Sequence, residues 1–152
     1  MQSAKYANDL IYWRSGIKHQ AEFAERAMFN LPVLLDALKY HEPVFLVEGE
    51  LDCNTLASLK KVPTTTNWQG ASAFTEEQAA WFMHARSRSD IVIIRDADDA
   101  GVFAAWQRYS RLIAVGVGRN RIRLYVPTGG AKDITDAALV CRAGNPCKKS
   151  SE

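Results

Sequence analysis

The sequence lacks most of what would mark a specialised environment. Its 152 residues include three cysteines, an odd number. Cys53 stands alone, and Cys141 and Cys147 have no His or Cys companion at zinc-ligand spacing. That argues against a disulfide framework or a zinc module and leaves reduced thiols of the kind usual in the cytosol. No apolar run approaches the length needed to cross a bilayer, and residues 1–30 contain no continuous apolar core of a signal peptide. The expectation is a soluble, cytoplasmic protein. There is no G-x-x-x-x-G-K-[ST] loop, which excludes a P-loop motor, and no internal repeat or low-complexity tract. A large excess of one charge is missing too. The net charge is +2, so any affinity for polyanions must rest on where the charges sit.

What is present is a globular chain of ordinary make-up. At this length a domain removes about 70% of its unfolded surface from water, enough for a core without staples. Between residues 43 and 140 short apolar runs alternate with amphipathic stretches. "PVFLVEG" (43–49) reads as a buried strand ended by glycine. "LDCNTLASLKK" (51–61) places Leu51, Thr55, Leu56 and Leu59 on one helical stripe. "VPTTTNW" is β-branched and bounded by Pro63 and Gly70, a second strand. Residues 75–86 open with Thr75 and Gln78 at capping-box spacing and continue as a helix. Residues 91–96 form the third strand, 100–114 a helix, and "RIRLYVP" the fourth strand. A last short helix starts after Asp133 and carries Ala137, Ala138 and Leu139.

This alternation predicts an α/β fold of about four mostly parallel strands with helices on both faces. Residues 1–40 form an N-terminal appendage. In it "DLIYWR" pairs as a hairpin with "HQAEFAERAMF", a stretch that helix propensity also suits, before the helix "LPVLLDALKY" with Pro32 in its first turn. Residues 41–141 are the main domain, and 142–152 a frayed polar tail.

In parallel sheets ligands bind beyond the carboxyl ends of the strands, so charges there matter most. Glu48 ends the first strand, with Asp52 one helical turn on. "IVIIRDADDAG" drives four apolar residues into an arginine and three aspartates. Asp96 and Asp98 are two apart and face one side of an extended backbone. Asp99 points instead into the next helix, where its charge suits the dipole. Gly49 and Gly101 permit close approach. With the first and third strands adjacent, Glu48, Asp96 and Asp98 converge, and their pKa values rise unless a cation neutralises them. Oxygen ligands without His or Cys select a hard ion, Mg²⁺ or Mn²⁺. A lone DxD is more often a pair of solvated loop-end acids; the strand-end Glu in the same sheet favours the metal.

Two further features stay open on the residues alone. In "GGAKDITDAAL", Lys132 can hold a phosphate oxygen while Asp133 and Asp136 add to the metal site, or the segment is simply a good helix start. Between residues 100 and 132 every charge is positive: Arg108, Arg111, Arg119, Arg121, Arg123 and Lys132. Arg119, Arg121 and Arg123 alternate along the fourth strand, either as a row for phosphates or as a charged edge that blocks aggregation. Trp68, Trp81 and Trp106 read as packing residues rather than base-stacking platforms.

"LVEGELD", "TTTNWQGAS", "IVIIRDADDAG" and "AKDITDAAL", in this order over about residues 28–140, resemble a Toprim domain, the Rossmann-like catalytic fold of bacterial-type primases, type IA and II topoisomerases, recombination mediators and small nucleases. Within that group the motifs look most like primases of phages, plasmids and mobile elements, and "FNLPVLLDAL" is similar to the Leu-Pro helix before their first strand. The resemblance implies that Glu48 is a general acid/base or metal ligand and that Asp96 and Asp98 bind the catalytic metals. Asp52, with Asp133 or Asp136, would help a second ion, and Lys132 would sit near the triphosphate or the nucleic-acid backbone. It implies Mg²⁺-dependent nucleotidyl transfer that makes RNA primers on a single-stranded DNA template. The chain departs from a full primase in lacking a zinc module, a helicase loop and room for the subdomain that precedes Toprim. Trp68 and Gln69 also stand where small residues are usual. The expectation is one part of a larger or split primase, with a zinc-module or helicase partner. A metal-dependent nuclease on the same acids, or a non-catalytic module binding DNA or a partner, are the alternatives; gathering three carboxylates argues against the last.

Overall fold

Each strand from residue 44 onward is followed by a segment that carries the chain back across the sheet, so these strands run parallel. The computed structural model describes residues 27–67 and 73–142. The strands are β1 (Met28–Phe29), β2 (Val44–Leu46), β3 (Thr64–Asn67), β4 (Ile91–Ile94) and β5 (Ile122–Tyr125). They form one sheet in the order β1-β3-β2-β4-β5. β2 pairs in parallel with both β3 and β4, and β4 with β5. The helices are α1 (Leu31–Lys39), α2 (Glu50–Lys60), α3 (Glu76–Ala80), α4 (Asp99–Ala114) and α5 (Ile134–Arg142).

The four parallel strands match the sequence reading, and the sheet has one strand more. Met28 and Phe29 pair antiparallel with Asn67 and Thr66, covering the β3 edge. The "DLIYWR" strand and the polar tail lie outside the described residues, as does the loop with Trp68 and Gln69.

Alternation along the strands builds two apolar layers. Val44, Leu46, Ile91 and Ile93 pack on one face with Leu34 and Leu38 of α1 and Ala105 and Leu112 of α4. Phe45 and Val92 face the other way, toward Cys53 and Leu56 of α2 and Ile134 of α5. The stripe expected on α2 is only partly the inward one, with Leu56 packed against the sheet. Leu51 is 68% exposed and Leu59 also lies open, whereas Cys53 is fully buried. α2 is only weakly amphipathic, and the crossover sets which side meets the sheet. Burial pushes the Cys53 thiol up to about 12, so it is inert packing.

The capping box at Thr75 is present, with both reciprocal bonds made. The helix it starts is shorter than expected. It passes at Trp81 into 3₁₀ turns that are broken at His84 and Ala85, the latter at φ 55°. β3 is unusual in being both polar and sealed: Thr64, Thr65, Thr66 and Asn67 are all buried. Their side chains are satisfied across the fold, Thr65 Oγ1 donating to the Phe29 carbonyl (2.6 Å) and Thr66 Oγ1 to the Glu48 carbonyl (3.1 Å).

Candidate active site

β2 is the first parallel strand, and the chain lays β3 on one side of it and β4 on the other. The direction of winding therefore reverses between β2 and β4, the place where open α/β sheets leave a crevice. The register Leu46↔Ile93 brings the two carboxyl ends level there. Glu48 follows β2, and its Oε1 accepts a hydrogen bond from the Asp96 backbone N–H (2.9 Å). The expected adjacency of Glu48 and Asp96 is therefore present.

Neighbouring acids are held around this pair by helix starts. Asp98 is the N-cap of α4, its Oδ1 accepting from Gly101 N–H (2.8 Å), with Asp99 in the first turn. A Cβ on Gly101 would stand 2.5 Å from the Asp96 carbonyl oxygen and 2.9 Å from Glu48 Oε1. Gly101 is what lets α4 start against the two strand ends. At Gly49 the nearest such atom is 3.7 Å away, so that glycine is not needed for space. Asp52 Oδ1 accepts from Thr135 N–H (3.1 Å) and Oγ1–H (2.7 Å), joining α2 to α5. Ala97 N–H donates to the Lys132 carbonyl (2.9 Å), which draws the start of α5 to the end of β4. There Asp133 Oδ1 accepts from Asp136 N–H (2.7 Å) and Asp136 Oδ2 from Lys132 N–H (3.0 Å). The helix-start role of "KDITD" is thus made; the Lys132 side chain is exposed.

The electrostatic focus is Asp96. Its carboxyl takes no hydrogen bond among the described residues. Burial first, and then the carboxylates of Glu48, Asp52, Asp133 and Asp98, push it up to about 6. Asp96 is the acid on which the fields of Glu48, Asp52, Asp98 and Asp133 converge.

One charged residue near the site was not singled out from the sequence. Arg108 of α4 is fully buried, and its Nη2 donates to Asn67 Oδ1 (2.6 Å) and Thr66 Oγ1 (3.4 Å). Counted by sign, it joined the basic stretch. Counted by position, Gly101, Ala104, Ala105, Arg108 and Leu112 form the apolar stripe of α4, and an arginine on such a stripe is the signal that could have found it.

No family model and no curated protein matches the chain. Solved structures do. The primase fragment of the bacteriophage T7 primase–helicase is 22% identical with a TM-score of 0.58, covering 79% of this chain and 46% of that one. The Aquifex aeolicus primase (zinc-binding and RNA polymerase domains) is 21% identical with a TM-score of 0.61, covering 80% of this chain and 28% of that one. The RNA polymerase domain of Mycobacterium tuberculosis primase DnaG is 23% identical with a TM-score of 0.57, covering 78% and 38%. The chain has the Toprim fold of DNA primases. It spans less than half the length of each of these structures.

On this Toprim fold the acid cluster fits a hard divalent cation in the kind of its donors, which are all oxygen. As they stand, no three His, Cys, Asp or Glu side chains among the described residues are spaced to enclose an ion. Glu48, Asp52 and Asp98 are turned toward backbone and hydroxyl donors. Mg²⁺ tolerates this, since it keeps several waters and binds through one or two carboxylates. The Asp96 carboxyl beside Glu48, without a hydrogen bond among the described residues, is the group best fitted to receive it.

The basic row differs from its sequence reading. Arg119–Arg121 is a 3₁₀ turn before β5, so the three arginines do not alternate along a strand. Arg121 is turned inward, its Nε donating to the Ser89 carbonyl (2.8 Å), while Arg119 and Arg123 are exposed. Trp81 packs against the core, as expected. Trp106 does not: it is 58% exposed, edge-on to Tyr109.

No helix among the described residues is long and apolar enough to cross a membrane.

Proposed function

We propose that the chain is the catalytic Toprim domain of a DNA primase, making RNA primers by Mg²⁺-dependent nucleotidyl transfer in phage or mobile-element replication. The observation that carries this reading is the meeting of Glu48 and the unpaired Asp96 at the winding reversal between β2 and β4, in a fold like that of primase cores. One of the similar structures is a DnaG primase catalytic domain bound to single-stranded DNA, which is the template class proposed for this chain. The similar structures include a primase with its zinc-binding domain and a primase–helicase fragment, and a zinc-module or helicase partner is proposed for this chain too.

In this reading Asp96 and Glu48 would hold the ion, with Asp98 and Asp52 as neighbouring carboxylates. When bound, Mg²⁺ would supply charge neutralisation at the α-phosphate and acidify the attacking 3′-hydroxyl. Glu48, its Oε1 fixed by the Asp96 N–H, is oriented to receive the hydroxyl proton. Lys132, exposed at the start of α5, meets the triphosphate; Asp133 and Asp136 keep that turn in place. Arg119 and Arg123 offer charge to the template backbone, a role that Arg121 cannot share while it holds Ser89.

The test has two stages. Calorimetry with Mg²⁺ and Mn²⁺ compares the native chain with Asp96→Ala/Asp98→Ala, and binding is expected only in the first. Labelled single-stranded DNA with four ribonucleotides is then expected to give primers with the native chain and its partner fraction. Shortened DNA in place of primers would overturn the primase reading in favour of a nuclease.

A further inference from the structure

Arg108 has no part in the reading above, yet it is the largest fully buried side chain described. Among the described residues the ion pair present is Arg111 with Glu76, and Arg108 rests its charge on neutral partners. Among the described residues its Nε has no partner. A buried guanidinium without a carboxylate contact is unfavourable in isolation, so a compensating field must lie nearby.

The helix geometry points to where that field is. Arg108 lies seven residues, two turns or about 10 Å of rise, beyond Gly101 on the same face of α4. Long helical side chains lean toward the helix N-terminus, which here is the acidic end. Gly101 packs directly on Asp96 and Glu48, and Thr66, an acceptor for Arg108, donates to the Glu48 carbonyl. Ala104 and Ala105, on the same stretch of α4, and Thr66 are all buried, so Arg108 is shielded from salt.

We infer that Arg108 is a built-in counter-charge, a fixed cation inside the fold that offsets part of the charge of Glu48 and Asp96 and thereby sets how tightly the cluster holds a divalent ion. It is a positioning residue that acts through its field and through Thr66. The inference rests on the cluster being a cation site. The interaction runs both ways: burial pulls the guanidinium down to about 10, and Glu48 and Asp96 act against that.

The experiment is a Mn²⁺ titration of the full chain, native and with Arg108→Met, Arg108→Gln and Arg108→Lys, alongside circular dichroism and melting of the metal-free forms. Arg108→Met keeps most of the side-chain length without the charge, Arg108→Gln provides a second neutral variant that can still meet Asn67, and the melting curves show which variants fold. Removing a fixed positive charge from the protein side is expected to tighten Mn²⁺ binding on the order of tenfold in both neutral variants. Arg108→Lys is expected to bind like the native chain. A packing role alone would lower melting temperatures and leave affinity unchanged or weaker in folded variants, and that outcome overturns the inference while the cation site stands. No Mn²⁺ binding in the native chain overturns the site and the inference together.

Discussion

Gly101→Ala tests the geometry of the site without touching a charge. In an unencumbered helix the exchange would stabilise, by roughly 1 kcal/mol of propensity. Here the added Cβ would stand 2.5 Å from the Asp96 carbonyl oxygen, 2.9 Å from the Asp96 carbonyl carbon and 2.9 Å from Glu48 Oε1. Two of those three atoms are backbone and cannot rotate away. Relieving the overlap requires moving the first turn of α4 from the strand end, and overpacking of this kind costs about 1–3 kcal/mol. The shift would also stretch the bond from Asp96 N–H to Glu48, a hydrogen bond to a charged acceptor worth about 1.5–3 kcal/mol. Set against the propensity gain, the expected net loss is about 1.5–5 kcal/mol. For a chain of this size that lowers the melting temperature by roughly 3–20 °C, at about 2–4 °C per kcal/mol. Thermal and urea unfolding of the metal-free chain measure it. Gly49→Ala is the control, since its nearest neighbour lies at 3.7 Å and its φ of −129° suits any residue. It should lose under about 1 kcal/mol, from capping alone. A Gly101→Ala chain as stable as the native one would refute the close packing of α4 on Asp96 and Glu48.

The remaining expectations concern charge. The folded chain keeps a proton on Asp96 up to about pH 6, where an ordinary aspartate has released it near 3.8. The unfolded chain therefore holds fewer protons across that window, and stability falls as pH rises through it. Melting curves of the metal-free native chain should decline between pH 4 and 6 relative to Asp96→Asn, and parallel curves would contradict the raised pKa. Arg121→Ala should cost about 1–2 kcal/mol through loss of its bond to Ser89, and leave the salt dependence of single-stranded DNA binding unaltered. Arg123→Ala should do the reverse, leaving melting unchanged and reducing the salt slope by about 0.7. Equal salt slopes for both variants would remove the distinction between them.

The sheet was legible because its evidence is local. Apolar runs ended by glycine or acid, a capping box at Thr75 and Gln78, and the spacing of the elements each depend on a few adjacent residues. Glu48 and Asp96 could be placed together by one further rule, that parallel sheets gather their chemistry at strand ends. What escaped depends on partners far along the chain. The burial of Cys53 rather than Leu51 follows from which side of α2 the crossover turns inward. The two-residue strand at Met28 exists only because β3 offers an edge. Arg121 looks like its neighbours until Ser89 is brought beside it. Arg108 was readable in principle from its stripe, but its acceptors sit about forty residues earlier on a strand that looked merely β-branched.

That polar strand also bears on the order of events during synthesis. Thr66 and Asn67 leave the ribosome long before Arg108, 42 and 41 residues later. Until the arginine arrives, docking β3 desolvates Thr66 and Asn67 before their Arg108 contacts can form, so early docking gains less than docking after α4 is made. A nascent chain that stops short of α4 thus has a hydrophilic strand where most parallel sheets carry an adhesive one, and gains little by closing its sheet. The long delay in closure costs only slowly growing loop entropy. Thr66 and Asn67 thus tie the completion of the buried strand to the arrival of the helix that completes the site.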